Sequence, residues 1–345
     1  MKRNRMMTPP LTLKKLPLLD LSQLDGDAGQ RQAFLDGLRI AARDVGFFYL
    51  RGHGVDSALN AQLQRLARQF FALPEADKLA VQMVHSPHFR GYNRAAAELT
   101  RGQPDWREQF DIGAERAALP LAEATPRWAR LQGPNQWPEA LPELKPLLLQ
   151  WQQAMTAMSL RLLRAFALSL SLPEQAFDSL YGDKPNEHIK LIRYPGREAT
   201  ASGQGVGAHK DSGFLSFLLQ DRQKGLQVEV DEGRWVDAEP LEDTFVVNIG
   251  ELLELATNGY LRATVHRVET PPAGSDRLSI AFFLGARLDA VVPVYQLPEY
   301  LAAEAHGPTS DPHNPLLRDV GFNYLKGRIR SHPDVAQRYY QDVVA

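Results

Sequence analysis

The chain has 345 residues, 44% of them apolar and 23% charged, with a formal net charge of −2, the balance of an ordinary soluble globular protein. That balance leaves no electrostatic footprint for nucleic acid or an anionic membrane, and no run approaches the ~18 apolar residues of a membrane span. The complete absence of cysteine excludes disulfide frameworks, cysteine nucleophiles, thiolate zinc sites and protein-held iron–sulfur clusters, so any metal must be bound by imidazole and oxygen.

The basic N-terminal MKRNRMM is not followed by an uninterrupted apolar segment, so no secretory signal is expected, and a cytoplasmic location suits a chain without disulfides. LPLLDL (16–21) reads as a strand. Leu35, Leu38, Ala42 and Val45 recur at helical spacing ahead of GFFYLRGHG, a short apolar strand closed by glycines. Asp56 or Ser57 caps a second helix with Leu59, Leu63, Leu66 and Phe70 on one face. Pro74 opens the short helix PEADKLAV, and from Ser86 to Gly133 the periodicity fades into a loop-rich stretch. The longest helix is expected from about Leu144 to Leu170, its Leu148, Trp151, Met155, Met158, Leu162 and Phe166 facing a core.

Past Pro185 the period becomes that of strands: HIKLIRYPG, GLQVEV, RWVDA, DTFVVNIG, YLRATVHRV and RLSIAFFLGA, separated by Gly, Pro and Asn-Gly punctuation. This spacing predicts an antiparallel barrel or jelly roll. Helical patterns return near Leu297, and SHPDVAQRYYQDVVA reads as a closing helix. With no repeat and no low-complexity linker, the flanking helices are expected to pack on the barrel as one unit. The expected segments are 15–135, an N-terminal part of helices and short strands; 136–182, a connecting long helix; 183–296, the jelly-roll core; and 297–345, a C-terminal helical part.

The chemistry concentrates in the strands. In GVGAHKDSGFLSFLLQD, His209 and Asp211 are two residues apart, so on a strand both point to one side while Lys210 faces away. In YLRATVHRV, Thr264, His266 and Val268 share a face, preceded by the tight-turn pair Asn258-Gly259. Two histidines and one carboxylate can cap one face of an octahedral ion and leave the other face open, the arrangement of non-haem Fe(II) oxygenases. One strand later, Arg277 and Ser279 again share a face and offer a guanidinium fork with a hydroxyl to a carboxylate.

His209, Asp211, His266, Arg277 and Ser279 together form H-x-D…H…R-x-S, and in this order the chain resembles the isopenicillin N synthase-like iron(II)/2-oxoglutarate-dependent oxygenases. LPLLDLSQL, DVGFFYLRGHGVD, FRGY, WREQFDIG, GPNQWP and KLIRYPG resemble further stretches of that family, over roughly residues 15–330. The resemblance implies a double-stranded β-helix (jelly-roll) core flanked by N- and C-terminal helices, of mixed α+β, mainly β class. It implies Fe(II) bound by His209, Asp211 and His266, 2-oxoglutarate held at its far carboxylate by Arg277 and Ser279, and O2 as oxidant. Decarboxylation of 2-oxoglutarate to succinate and CO2 would be coupled to hydroxylation, desaturation or ring formation on a small molecule. Lys190 matches a basic residue that some relatives direct at the cosubstrate, and Arg193 and Tyr194 are further pocket candidates. GYNRAAAELTRGQPDW resembles a substrate-approaching segment of bacterial ethylene/succinate-forming enzymes, which makes Glu98 a candidate substrate contact.

Other readings stand beside this one. In isopenicillin N synthase the Arg-x-Ser pair holds a substrate carboxylate and no 2-oxoglutarate is used. The same triad could hold zinc in a hydrolase or isomerase, or the fold could serve a non-catalytic binding module. His85 and His88 read as a surface loop, His53 as structural, and His306, His313 and His332 as exposed; Asp221-Arg222 and Glu242-Asp243 read as solvated turns. No obligate protein partner is expected.

Overall fold

The computed structural model describes residues 15–231, 233–309 and 311–344; the basic N-terminal stretch bearing on secretion lies outside them. Four helices lead the chain: α1 (Ala28–Asp44), α2 (Ser57–Ala72), α3 (Glu75–Ala80) and α4 (Leu144–Ser169). Asp27 starts α1 with a capping box shared with Gln30, and Asp56 caps α2 by accepting from the Ala58 amide. The strands are β1 (Leu18–Asp20), β2 (Phe47–Arg51), β3 (Gly91–Asn93), β4 (Leu99–Thr100), β5 (Gln103–Pro104), β6 (Glu108–Gly113), β7 (Asn186–Tyr194), β8 (Gln204–His209), β9 (Leu215–Gln220), β10 (Leu226–Asp231), β11 (Arg234–Asp237), β12 (Phe245–Ile249), β13 (His266–Glu269) and β14 (Arg277–Gly285). The later helices are α5 (Asp178–Tyr181), α6 (Glu251–Ala256), α7 (Glu299–Ala302), α8 (Val320–Ser331), α9 (Pro333–Tyr339) and α10 (Gln341–Val344).

An eight-stranded sheet in the order β1-β2-β12-β9-β14-β7-β6-β3 faces a four-stranded one, β11-β10-β13-β8. Alternation along the strands sorts two cores. Phe48, Leu50, Phe245, Val247, Ile280, Phe282, Ile189 and Leu191 point outward, where α1, α2 and α4 cover them. Trp151 of α4 sits at that seam against Phe245 and Phe282, and its indole N–H donates to Asn60 of α2. Phe47, Tyr49, Val246, Ala281, Ile192 and Tyr194 point inward and meet Val206, Leu226, Val228 and Val268 of the smaller sheet. The sheets thus enclose the jelly-roll interior, and every strand crossing it presents alternate residues to that space.

Four local expectations are corrected. The stretch expected as loop from 86 to 133 contains β3 to β6, and β6 pairs with β7 over six residues; its polar residues Gln109 and Asp111 alternate with Phe110 and Ile112, a strand pattern whose inner face is charged. YLRATVHRV is a strand only from His266. Asn258 and Gly259, both at positive φ, terminate α6 rather than turn a hairpin, with the Gly259 amide donating to Glu254 O. A Cβ at 259 would stand 2.0 Å from Gly307 O, so the close passage of that loop requires glycine. The closing segment is not one helix: Pro333 starts α9, which ends at Tyr339, and the short α10 follows from Gln341.

Candidate active site

His209 ends β8 and His266 begins β13, and the two are register partners. Their rings lie 4.3 Å apart. Asp211 lies in the turn after β8, where its carbonyl accepts from the Glu251 amide at 2.7 Å. Gly250 makes this seating possible, since a Cβ there would stand 2.2 Å from Gly213 O. Asp211 Oδ1 is 3.5 Å from His209 Nε2 and 3.6 Å from His266 Nε2. One ligand atom from each of the three residues lies within 4.8 Å of the others, a spacing able to hold a metal ion.

The surroundings orient these donors. Each histidine Nδ1 donates to a backbone carbonyl, His209 to Gly207 O at 2.8 Å and His266 to Thr264 O at 3.1 Å. That fixes the tautomer and leaves each Nε2 lone pair facing the centre. The second oxygen of Asp211 is consumed by Ser216 Oγ at 2.5 Å and Asn248 Nδ2 at 2.8 Å, which frees Oδ1. Burial opposes ionisation of Asp211, but His266, His209 and Ser216 override it and hold the carboxyl far below its ordinary range. Burial, reinforced by His209, pushes His266 down to about 4, so its imidazole is neutral at physiological pH. For His209, burial is outweighed by Asp211, which raises it. Phe47 packs edge-on against His266 at 5.0 Å. Asn248 and Ser216 escaped sequence analysis; the available clue was a polar residue inside the apolar run VVNIG, because a buried amide must have a partner.

Arg277 is 0% exposed at the start of β14. Its Nε donates to Gln223 O at 3.2 Å, one terminal nitrogen to Gln220 Oε1 at 2.8 Å and the other to Ser279 Oγ at 3.3 Å. Its guanidinium lies over the Tyr194 ring at 5.1 Å. No carboxylate pairs with it among the described residues, and burial lowers its pKa. A desolvated guanidinium bonded only to neutral acceptors is a site for an anion.

The remaining candidates divide. Tyr194 points inward beneath Arg277. Lys190 also points inward, but its ammonium is held by Glu98 at 2.8 and 3.1 Å, with Gln109 at 3.5 Å. Lys190 and Glu98 are therefore paired with each other in a buried group. Arg193 corrects the expectation: strand alternation turns it to the opposite face, where Asp276 and Glu108 both pair with it at 2.8 and 2.7 Å. His332 is corrected too, being 1% exposed with Nε2 3.3 Å from Glu98 Oε1. Asp221 is no solvated turn residue, since its carboxylate accepts from the Leu278 amide at 2.7 Å and pairs with Arg68 at 2.6 Å. His88 is half-buried and donates to Arg130 O, whereas His85 is exposed as expected.

Comparison with known proteins agrees with this geometry. Residues 16–140 match the family described as non-haem dioxygenase in morphine synthesis N-terminal, and residues 185–286 match the 2OG-Fe(II) oxygenase superfamily. A 2-oxoglutarate-dependent dioxygenase, frbJ, of Dothideomycetidae sp. (strain 11243) is 34% identical over 97% of this chain and 95% of its own length. A homoarginine-6-hydroxylase of Arabidopsis thaliana is 35% identical over 81% of this chain and 87% of that protein. Among solved structures, a full-length Neurospora crassa protein in complex with alpha-KG and thymine is 26% identical with a TM-score of 0.73, covering 94% of this chain and 97% of that one.

Proposed function

The chain belongs to the Fe(II)- and 2-oxoglutarate-dependent oxygenases, and from that premise we propose the residue roles within its active site. It is an oxidoreductase that couples conversion of 2-oxoglutarate to succinate and CO2 with oxidation of a small-molecule substrate. In this reading His209, Asp211 and His266 are the iron ligands. Their two nitrogens and one oxygen form a facial set that suits Fe(II) and leaves positions for other ligands. When bound, the iron supplies the activation of O2 that makes a substrate C–H bond reactive.

The protein's own part is positioning. The carbonyls of Gly207 and Thr264 fix both imidazoles, and Ser216 with Asn248 holds Asp211 so that Oδ1 faces the centre. Arg277 and Ser279 grip the distal carboxylate of 2-oxoglutarate, with Gln220 and the Tyr194 ring holding the planar guanidinium in place. The apolar lining from Phe47, Val206, Val228 and Ala281 excludes water from the space between the sheets. The observation that carries this reading is the buried, carboxylate-free Arg277 on the interior wall that also bears Ser279. Arg193 has no part in it.

Relatives are named for homoarginine or were solved with thymine, so the prime substrate here is a small molecule selected by what this chain places beside the triad. The test is iron-reconstituted protein supplied with 2-oxoglutarate and metabolite pools, with succinate measured per O2 consumed. Near-stoichiometric succinate is expected. Oxygen consumption with substrate but without succinate would move the protein to the isopenicillin N synthase type of chemistry.

A further inference from the structure

Beside the iron-ligand strand lies a buried polar cluster that neither the metal nor the 2-oxoglutarate site uses. Glu98 accepts from Arg107 at 2.5 Å and from Lys190, with His332 at 3.3 Å. Asp111 is met by His188 at 2.6 Å, by Arg328 at 3.4 Å and by Lys190 at 3.8 Å. Asp105 pairs with Arg107 at 3.4 Å and accepts from the Gly207 amide at 3.1 Å. Gly207 is two residues before His209, and a Cβ there would stand 2.9 Å from Thr100 Cγ2. The cluster thus begins where the iron site ends, and Arg328 and His332 bring the end of α8 into its wall.

Its hydrogen bonding is unbalanced in one direction. Arg107 Nε, Gln109 Nε2 and Arg328 Nε are buried donors with no partner, against one free acceptor on the three carboxylates, Asp111 Oδ2, and the unbonded ring nitrogen His332 Nε2. The three residues carrying those donors are each nine-tenths or more buried. Permanent charge in the cluster is balanced, Arg107, Lys190 and Arg328 against Glu98, Asp105 and Asp111, all at least nine-tenths buried, while the neighbouring Arg90 is bonded to the carbonyls of His88 and Leu131. His188 and His332 add no charge, because burial and the neighbouring cations keep both imidazoles neutral. Glu98 is already engaged by Lys190 and Arg107, with His332 alongside, so a cationic ligand would compete there with two resident cations. A carboxylate brings acceptor sites without donors, which answers this imbalance.

We propose that this cluster is the substrate's anchoring subsite, that the prime substrate is a carboxylic acid, and that Arg107, Gln109 and Arg328 contact its carboxylate. This rests on the function proposed above and names the substrate class for that same site. Binding anchored there would leave the substrate's carbon chain to extend past Thr100 and Gly207 toward the triad.

The test is ligand-observed NMR on the full-length iron-loaded protein under argon with saturating 2-oxoglutarate, which occupies Arg277 and leaves the second subsite to report. The probes are acetate, benzoate and phenylpropionate, their carboxamides, and methylguanidinium. At least one carboxylate is expected to bind ten times tighter than its amide, with methylguanidinium not binding. Arg328→Met and Gln109→Leu should each weaken that carboxylate at least tenfold; the second keeps the cluster's charge, so it reads the loss of the amide if the first fails to fold. Amide or methylguanidinium binding as tight as carboxylate, carboxylate binding untouched in the folded variants, or no carboxylate binding at all overturns the proposal. Failure of wild type to bind 2-oxoglutarate in the same titration counts against the enzyme's proposed site roles instead, and the second subsite is then read from whether Arg328→Met and Gln109→Leu weaken the carboxylate.

Discussion

His209 and His266 stand opposite each other on paired strands, and their Nε2 atoms lie 3.5 and 3.6 Å from the same oxygen, Oδ1 of Asp211. The convergence depends on two strands of the smaller sheet and a turn seated on the start of α6, so three separate pieces of chain must be fixed before the donors meet.

Removing one donor leaves two, too few for a facial site. His266→Ala is expected to remove most bound iron and all turnover, measured by metal content after gel filtration. Asn248→Leu leaves the donors in place but frees Asp211 Oδ2 to swing. Loss of such a supporting hydrogen bond costs about 10–100-fold in metal affinity or activity. Wild-type iron content in His266→Ala would refute the assignment.

Arg277 and Arg193 lie on the same paired strands, β14 and β7, but face opposite sides, and the difference is measurable. Truncating one partner of a buried charge pair costs about 2–5 kcal/mol, so Arg277→Leu should weaken 2-oxoglutarate on the order of thirtyfold or more. Ser279→Ala should cost less, within the roughly 1.5–3 kcal/mol of a hydrogen bond to a charged group. Arg193→Ala removes two outward ion pairs, a part-exposed one to Asp276 and one to the buried Glu108, which Lys78 also holds at 3.1 Å, and should leave 2-oxoglutarate affinity unaltered. Calorimetric titration of the three variants checks the ranking, and a loss at Arg193 comparable to that at Arg277 would contradict the strand-face argument.

His209 with Asp211 and Arg277 with Ser279 were legible because each is an i, i+2 pair on or just past the end of a strand, where spacing fixes the face, and His266 because it opens a strand of the same barrel. The same rule places Arg193 beside Tyr194 but facing away, and counting from Tyr194 alone would have shown it. His332 was misread because polarity and a following proline resemble a surface loop, whereas the whole α8–α9 corner is folded under Phe89 and Tyr340. The cluster around Glu98 was invisible for a different reason. Its members come from the strand edge near Glu98, from β6, β7 and α8, and no local pattern links residues so far apart.

His188 sits on the inner face of β7 with its Nε2–H donating to Asp111 at 2.6 Å. Burial, chiefly, depresses it to about 3, and although Asp111 pulls the other way, Arg328 and Lys190 add to the depression. The unfolded chain therefore binds a proton at His188 below its ordinary 6.5 while the folded protein does not, down to about 3. Stability from this group is complete above pH 6.5 and is lost as pH falls through that window, with a limiting slope of about 1.4 kcal/mol per pH unit. His53 and His332, lowered mainly by burial, act in the same sense. Urea denaturation of metal-free protein between pH 7 and 5 should show stability falling toward acid, and His188→Asn should flatten part of the slope. An unchanged slope in that variant would show that His188 is protonated in the folded state.

The N-terminal third cannot be cut away as a separable cap. β2 pairs with β12 on one side of the large sheet, and β6 pairs with β7 on the other. A fragment starting near residue 140 would lose both partners and expose two strand edges, which invites association. It would also uncover the outer face of Phe245, Phe282, Ile189 and Leu191, because α4 alone replaces a layer built from α1, α2 and α4. Trp151 would lose its acceptor Asn60, and His266 would lose the edge contact of Phe47. The fragment is therefore expected to be aggregated or to melt without cooperativity, and not to retain iron. Circular dichroism melts, sedimentation and metal analysis check this. A soluble fragment that melts cooperatively and binds both iron and 2-oxoglutarate would show that the barrel stands alone.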